Sequence, residues 1–209
     1  MAGNTLSTFT DHDKKLASLL DVAADIFAAK GYHHASIRDL SRHAGVSLSG
    51  LYYYFGSKEE LLYMIQERSL RLLLSDLDER MAGIRHPRER LRTLIHNHIE
   101  FTASHRSAMR VLNHEYDALE GDLRAKIAGL RLRYANVCTE ILRDLRRSTT
   151  GGDAVPLNIA TSALLGMMNW IYAWYLPETN VPVDRLTEHI YRLFLAGFAS
   201  RLDSSPETA

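Results

Sequence analysis

Ser36-Ile-Arg-Asp-Leu-Ser-Arg-His-Ala-Gly-Val-Ser-Leu-Ser-Gly-Leu-Tyr-Tyr-Tyr-Phe55 is the stretch that decides the fold of this chain. Ile37, Leu40 and Ala44 recur at i, i+3 and i+7, the spacing of one apolar helical stripe. Ser36 stands where an N-cap belongs, its hydroxyl placed to accept from the first unpaired N–H groups. Gly45 ends the helix and permits the positive φ of a sharp turn. Val46 then buries at the elbow, and Ser47 caps a second helix that points Leu51 inward. Two short helices at such an elbow make a helix-turn-helix, whose second helix is sized for a DNA major groove.

An ordinary helical hairpin in a core has the same inner stripe. The outer face of the second helix separates the two readings. Leu48, Ser49, Gly50, Tyr52, Tyr53 and Tyr54 crowd into one short segment. Ser49 and Gly50 are small enough for close approach to a backbone, and tyrosine hydroxyls donate well to phosphate oxygens. A hairpin buried in a core has no use for that surface.

The flanks extend the pattern. Ala24-Asp25-Ile26-Phe27-Ala28-Ala29-Lys30-Gly31-Tyr32 leads in, and Phe55-Gly56-Ser57-Lys58-Glu59-Glu60-Leu61-Leu62 leads out. From about Leu16 to Leu62 the chain resembles the DNA-binding head of the TetR (tetracycline repressor-like) family of bacterial regulators. The matching pieces are Phe-x-x-x-Gly-Tyr, Ile-x-x-Leu-x-x-x-Ala-Gly-Val, Leu-Tyr-Tyr-x-Phe and Ser-Lys-Glu-Glu-Leu. The family often has Lys where this chain has Leu48, and His where it has Tyr54. Both departures fall on the expected DNA face and bear on operator sequence.

Composition sets the frame. The chain has 209 residues, 46% hydrophobic and 24% charged, enough for a small head and a larger helical body with its own core. No apolar run approaches the roughly 20 residues of a membrane span, and the N-terminus lacks the basic and apolar regions of a signal peptide. A single cysteine, Cys138, has no intramolecular partner, which suits a reducing cytoplasm. The 25 basic and 25 acidic residues cancel, unlike a general nucleic-acid coat protein. The head is nearly balanced too: Lys14, Lys15, Lys30, Arg38, Arg42 and Lys58 face Asp11, Asp13, Asp21, Asp25 and Asp39. Specific DNA binding then rests on a few placed contacts and on dimerisation.

Taken in order, residues 1–12 read as a flexible arm, 13–58 as the DNA-binding head, 59–203 as the body and 204–209 as a disordered tail. The fold class is all-α, with about nine helices and three in the head. The first helix, Asp13 to Lys30, supports the motif and stops at Gly31. Ser36, Arg38 and Lys58 are the phosphate candidates beside Ser47, Leu48, Ser49, Gly50, Tyr52, Tyr53 and Tyr54; a solvated surface charge is the plainer account of each basic residue. Lys58 to about Met81 is one long helix. In the resembled family this helix joins head to body, so its tilt can carry a ligand signal.

Body helices are expected at Arg88–Ser104 and at Arg106 to about Leu119. Another starts at a cap on Asp122 and carries Leu123, Ile127, Leu130, Tyr134, Val137, Ile141 and Leu145, the strongest helical period in the chain. Ser148 to Gly152 reads as a loop. Ile159–Leu176 is apolar nearly all round and needs cover on more than one face. The last helix runs from Val183 to about Leu202. The economical arrangement packs one side of these two on the body and the other on their copies in a homodimer, the interface the resemblance also implies. Its two-fold axis sets the heads on successive major grooves of a pseudo-palindromic operator.

Polar residues on apolar faces mark a candidate effector pocket: Phe101, Met109, Arg110, His114, Tyr134, Asn169, Trp170 and Trp174, with His98 and His105 nearby. A lone His or Arg there is more often structural, but together they suit one long pocket, apolar inside with a basic mouth. Met168-Asn169-Trp170-Ile171-Tyr172-Ala173-Trp174-Tyr175-Leu176-Pro177 and the helix after it resemble, more loosely, TetR relatives that respond to acyl-CoA thioesters. That likeness implies an acyl group in the pocket and Arg or His at pantetheine or phosphate.

Catalysis finds no support. His114-Glu115 lacks the second histidine of a zinc-protease helix. His96 and His98 point about 200° apart on one helix and share no metal. Cys138 reads as an inert buried thiol. No cofactor and no metal is expected. The sequence points to ligand-controlled DNA binding, most often repression. A TetR-like activator, and a helical protein–protein interaction module without specific DNA binding, stay open as alternatives.

Overall fold

The computed structural model describes residues 10–148, 155–176 and 181–199, and those residues are helical, with no strand among them. The helices are α1 (Asp11–Lys30), α2 (Ile37–Ala44), α3 (Leu48–Tyr52), α4 (Lys58–Met81), α5 (Pro87–Ser104), α6 (Arg106–His114), α7 (Gly121–Arg147), α8 (Leu157–Asn169), α9 (Ile171–Trp174) and α10 (Val183–Ala199). With α8 and α9 counted as one broken helix, the described residues hold nine α-helices, the number expected. Thr10, Asp11 and His12, expected in a flexible arm, instead begin α1: the Thr10 hydroxyl accepts from Asp13 N–H, and Asp13 answers at Thr10 N–H. The rest of the arm (residues 1–9), most of the loop after Ser148, and the tail lie outside the described residues.

The head is three helices closed over Leu19, Leu20, Ala23, Phe27, Leu40, Leu51 and Phe55, all buried. A reciprocal cap starts α2: Ser36 Oγ accepts from Asp39 N–H at 3.1 Å, and Asp39 Oδ2 accepts from Ser36 N–H at 3.0 Å. Gly45, at φ 63°, ends α2 in the left-handed region, so a side chain there would be strained. Ser41 Oγ then donates to the Val46 carbonyl at 2.7 Å and fixes the elbow. Asp39 receives Lys30 of α1 at 3.1 Å and also pairs with Arg42, which ties α1 to α2.

Helix α4 belongs to both halves. Its first turns bury Leu61, Leu62 and Ile65 against the head, and its later turns bury Leu70, Leu73, Leu74 and Leu77 with the body. Helices α5 and α7 pack on α4, α8 on α7 and α10 on α5, while α1 of the head rests directly on α6. The 115–120 segment closes the joint: Glu115 accepts from Tyr32 N–H at 3.2 Å, its carbonyl accepts from Gln66, and Glu59 accepts from Glu120 N–H at 2.9 Å.

Three expected helix boundaries move, each for a visible reason. The helix expected through Leu119 stops at His114, because Glu115 turns back to the head and a 3₁₀ turn, Tyr116–Ala118, follows. Asp122 does not cap α7: Glu120 holds that place without a side-chain bond, and Asp122 sits in the first turn, favourable to the helix dipole. The apolar helix through Leu176 breaks at Trp170. There Asn113 Nδ2 takes the Asn169 carbonyl at 3.2 Å and Arg106 Nε the Tyr172 carbonyl at 2.7 Å, so side chains satisfy what a continuous helix would pair. No described helix is long and apolar enough to cross a membrane.

Candidate DNA-binding surface and effector cavity

Helix α3 is only five residues long, yet its ends are fixed. Ser47 Oγ accepts from Gly50 N–H at 3.1 Å, and Leu51 is wholly buried beneath it. The opposite face is open, with Leu48 39%, Tyr52 53% and Tyr53 74% exposed, and Ser49 and Arg38 exposed beside them. Such aromatic exposure needs a partner to account for it. Tyr54 is half-buried and stacks on His12 of α1 at 5.0 Å, a neighbour the sequence pattern did not flag because the two lie far apart in the chain. His12 also meets Tyr53 edge-on at 5.7 Å, so the start of α1 borders the same surface.

Three residues expected to touch DNA have prior engagements. The Ser36 hydroxyl is committed to its cap with Asp39, so that hydroxyl is not free to hold a phosphate. Gly50 is half-buried, and a Cβ there would lie 3.0 Å from Val46 Cγ1 and 3.2 Å from Ser47 Oγ. Its smallness serves the packing of α3 on the turn. Lys58 lies 4.4 Å above the Tyr32 ring and donates to the His33 carbonyl at 3.3 Å. It clamps α4 to the loop between α1 and α2, and partial burial lowers its pKa. Asp39 is held well below the usual carboxylate range, first by its hydrogen bond from Ser36 and then by Lys30, so it stays ionised within this surface.

Most of the expected effector residues fall into two separate spaces rather than one long pocket, and α6 stands between them. An inner cavity of about 300 Å³ is walled by α4, α5, α6, α7 and α8 and includes Met109, Tyr134 and Asn169 of the expected set, with His98. Leu70, Leu73, Leu112 and Leu165 make most of its apolar wall. Arg131 lines it as well, donating to the Leu112 carbonyl at 2.9 Å and lying 4.8 Å from the Tyr116 ring centre. Read along α7 alone, Arg131 looks like one more surface charge, so only the packing places it here.

Arg110, His114 and Trp170 line a wider cleft on the other side of α6, with Arg106, Tyr172 and Asp25 of the head. His114 hydrogen-bonds the Tyr172 hydroxyl, and the Trp170 ring lies 5.8 Å from that of Tyr172. Phe101 and Trp174 line neither space. Phe101 is buried with its ring stacked on His105 at 4.4 Å, and Trp174 is exposed beyond the break in the helix. Cys138 is buried, and burial pushes its thiol up to about 12, a protonated and unreactive state.

The comparisons agree with this geometry. Residues 19–63 match the family model described as bacterial regulatory proteins, tetR family, and residues 85–198 match that of the tetracyclin repressor-like C-terminal domain. The fatty acid metabolism regulator protein of Bacillus subtilis is 21% identical, the alignment covering 90% of this chain and 97% of that protein. A TetR-family transcriptional regulator from Bordetella parapertussis superposes with a TM-score of 0.80 at 28% identity, over 90% of this chain and 98% of that one. The crystal structure of AibR in complex with isovaleryl coenzyme A and operator DNA shares the fold, with a TM-score of 0.75 at 22% identity, over 90% of this chain and all (100%) of that one. A capped helix-turn-helix with an open aromatic face, a helical body enclosing a cavity, and two family matches that together span both halves lead to one conclusion: this chain belongs to the TetR family and is a DNA-binding transcriptional regulator.

Proposed function

We propose that the chain works as a cytoplasmic homodimeric repressor, released from a pseudo-palindromic operator when a small apolar or acyl-CoA-type effector occupies the body. The carrying observation is the inner cavity. Its walls include α4, which seats the head, and α6, on which α1 rests. A ligand that parts those helices changes the tilt of the head, so the head (13–58) and the body (59–203) act as coupled units. A coupling of about 1–3 kcal/mol changes DNA affinity some 5–150-fold.

Ser47, Leu48, Ser49, Tyr52, Tyr53 and Tyr54 face the groove in this reading, with Arg38 toward phosphate. Lys58 acts mainly by holding the head in shape. Dimerisation through α8 and α10 is favoured by what those helices leave uncovered: Leu193 is 67% exposed, and Ile159 is exposed on α8. An acyl-CoA-type effector is supported by the names of the relatives, one a fatty acid metabolism regulator and one bound to isovaleryl coenzyme A. Arg106, Arg110 and His114 in the outer cleft supply charge for an anionic end of such a molecule.

Fluorescence anisotropy of DNA from the chain's own promoter region, against a scrambled duplex of equal length at moderate salt, tests the first half. A clear preference for the promoter is expected. Adding CoA thioesters of increasing acyl length tests the second: at least one should weaken binding fivefold or more. A panel that never weakens DNA binding overturns the acyl-CoA reading, and a transcription assay on the same promoter distinguishes repression from activation.

A further inference from the structure

We propose that His12 completes the DNA-binding surface: its imidazole takes up a proton in the complex and pairs with a backbone phosphate beside Tyr53, so that operator affinity rises as pH falls from about 8 to about 6. The inference rests on reading the exposed face of α3 as the face that meets DNA, and adds to it a residue from outside the helix-turn-helix.

His12 lies in the first turn of α1, and the reciprocal cap between Thr10 and Asp13 sets where that turn begins. Its ring stacks on Tyr54 with centroids 5.0 Å apart and meets Tyr53 edge-on at 5.7 Å. Tyr53 and Tyr54 themselves lie edge to face at 5.2 Å, so the three rings form one cluster at the end of α3. The cluster opens to solvent: Tyr53 is 74% exposed, and the His12 side chain keeps 48% of its surface. Two aromatic contacts thus hold the imidazole at the rim of the surface and leave its remainder open to a phosphate.

Several cations of the head and its seat are already engaged. Lys58 is turned to the Tyr32 ring, Lys30 and Arg42 pair with Asp39, and Arg68 pairs with Asp21. The groups that face His12 are the phenols of Tyr53 and Tyr54 and, from its own helix, the Asp13 carboxylate, 3.8 Å from Nδ1. Hydrogen bonds from Thr10 hold the Asp13 carboxyl below the usual range, so it stays ionised. A phosphate placed here meets a carboxylate and two phenols unless the imidazole carries a proton. Histidine is the side chain that ordinarily changes charge near neutral pH. The protonated ring is favoured by the phosphate, by Asp13 and by the face of Tyr54 together. DNA binding is then linked to proton uptake, and affinity increases toward lower pH.

The test is fluorescence anisotropy of the full-length protein on its promoter duplex, or on a duplex selected from a random pool if the promoter shows no preference. It is run at pH 6 and pH 8 and at several salt concentrations. For each head bound, affinity should be about fivefold higher at pH 6, the gain given by one histidine whose titration midpoint rises by about one unit on binding. His12→Ala should remove most of that gain and, at pH 6, lower the salt slope by about one per head. His12→Phe keeps a ring for the stack without the charge and should behave like His12→Ala. His12→Lys keeps a cation at both pH values, so it should bind more tightly than His12→Ala with no larger a gain at pH 6. His33, His34 and His43 of the head stay in every variant, so their effect cancels in the comparison. An unaltered gain in His12→Ala, or a His12→Phe variant that matches the unmodified protein at pH 6, overturns the proposal. If His12→Ala does not fold, His12→Phe and His12→Lys decide. Tyr52→Ala, run alongside, separates the two readings. Weak binding by Tyr52→Ala with unaltered His12 variants removes this inference and keeps the surface; full binding by Tyr52→Ala with the gain lost on His12 substitution does the reverse.

Discussion

The DNA-facing surface draws its side chains from one short run, residues 36–54, whereas the inner cavity gathers its lining from five helices between Leu70 and Asn169. The surface is ready-made: caps at Ser36 and Ser47 fix its backbone, and Tyr52 and Tyr53 stand in solvent. The cavity is the reverse, set among packed helices and walled mainly by apolar side chains. Groove binding asks for rigid exposed groups on a short element. Reporting on a small molecule asks for a space whose walls belong to helices that can shift. In this chain α4 and α6 are where the two demands meet.

The sharpest way to break the comparison is to unseat the surface from below. Leu51→Ala removes a fully buried side chain under α3 and should cost about 2–5 kcal/mol. DNA binding should vanish, while the near-UV spectrum of Trp170 and Trp174 in the body is retained below the melting temperature. Unchanged denaturant midpoints would mean that α3 does not pack as described.

Acid separates the two regions by window. His98 has a folded pKa of about 4 against 6.5 ordinarily, so the unfolded chain binds the extra proton between those values. Stability should therefore fall as pH drops through that window, by about 3 kcal/mol in all, and His98→Gln should flatten the slope. Asp39 acts lower. Its depressed carboxyl contributes stability above its unfolded pKa of about 3.9, and that contribution is lost as pH falls further. Urea melts from pH 7 to 3 on the unmodified protein and on His98→Gln read the histidine window directly.

The smallest expected change in stability accompanies a large change in function. Tyr52→Ala with Lys58→Ala should lower operator affinity tenfold or more, by loss of contacts and of the loop clamp, while costing about 1 kcal/mol of stability, the scale of the Lys58–Tyr32 cation–π pair. Retained operator affinity would mean that Tyr52 and Lys58 are not among the residues that hold DNA. Severe unfolding would show that Lys58 matters to the head far more than its one ring and one carbonyl suggest.

Helix ends set by local chemistry were legible in the chain: Ser36, Gly45 and Ser47 punctuate α2 and α3 where their side chains and φ angles dictate. Ends set by distant partners were not. Glu115 leaves its helix to reach Tyr32, and the carbonyls of Asn169 and Tyr172 are claimed by Asn113 and Arg106. The same division holds within the candidate sites. Tyr52 and Tyr53 were readable as a surface, but the capture of Lys58 by Tyr32, the role of Gly50 against Val46, and the His12–Tyr54 stack are long-range or packing facts.

By itself the sequence determined an all-helical chain with a capped helix-turn-helix, because caps, turns and 3.6-residue periods act over a few residues. Only the tertiary structure decided that α6 divides the expected pocket in two, that Arg131 enters it, and that His98 and Tyr134 meet inside it. Each of those depends on which helix faces which, and close packing settles that for the whole body at once.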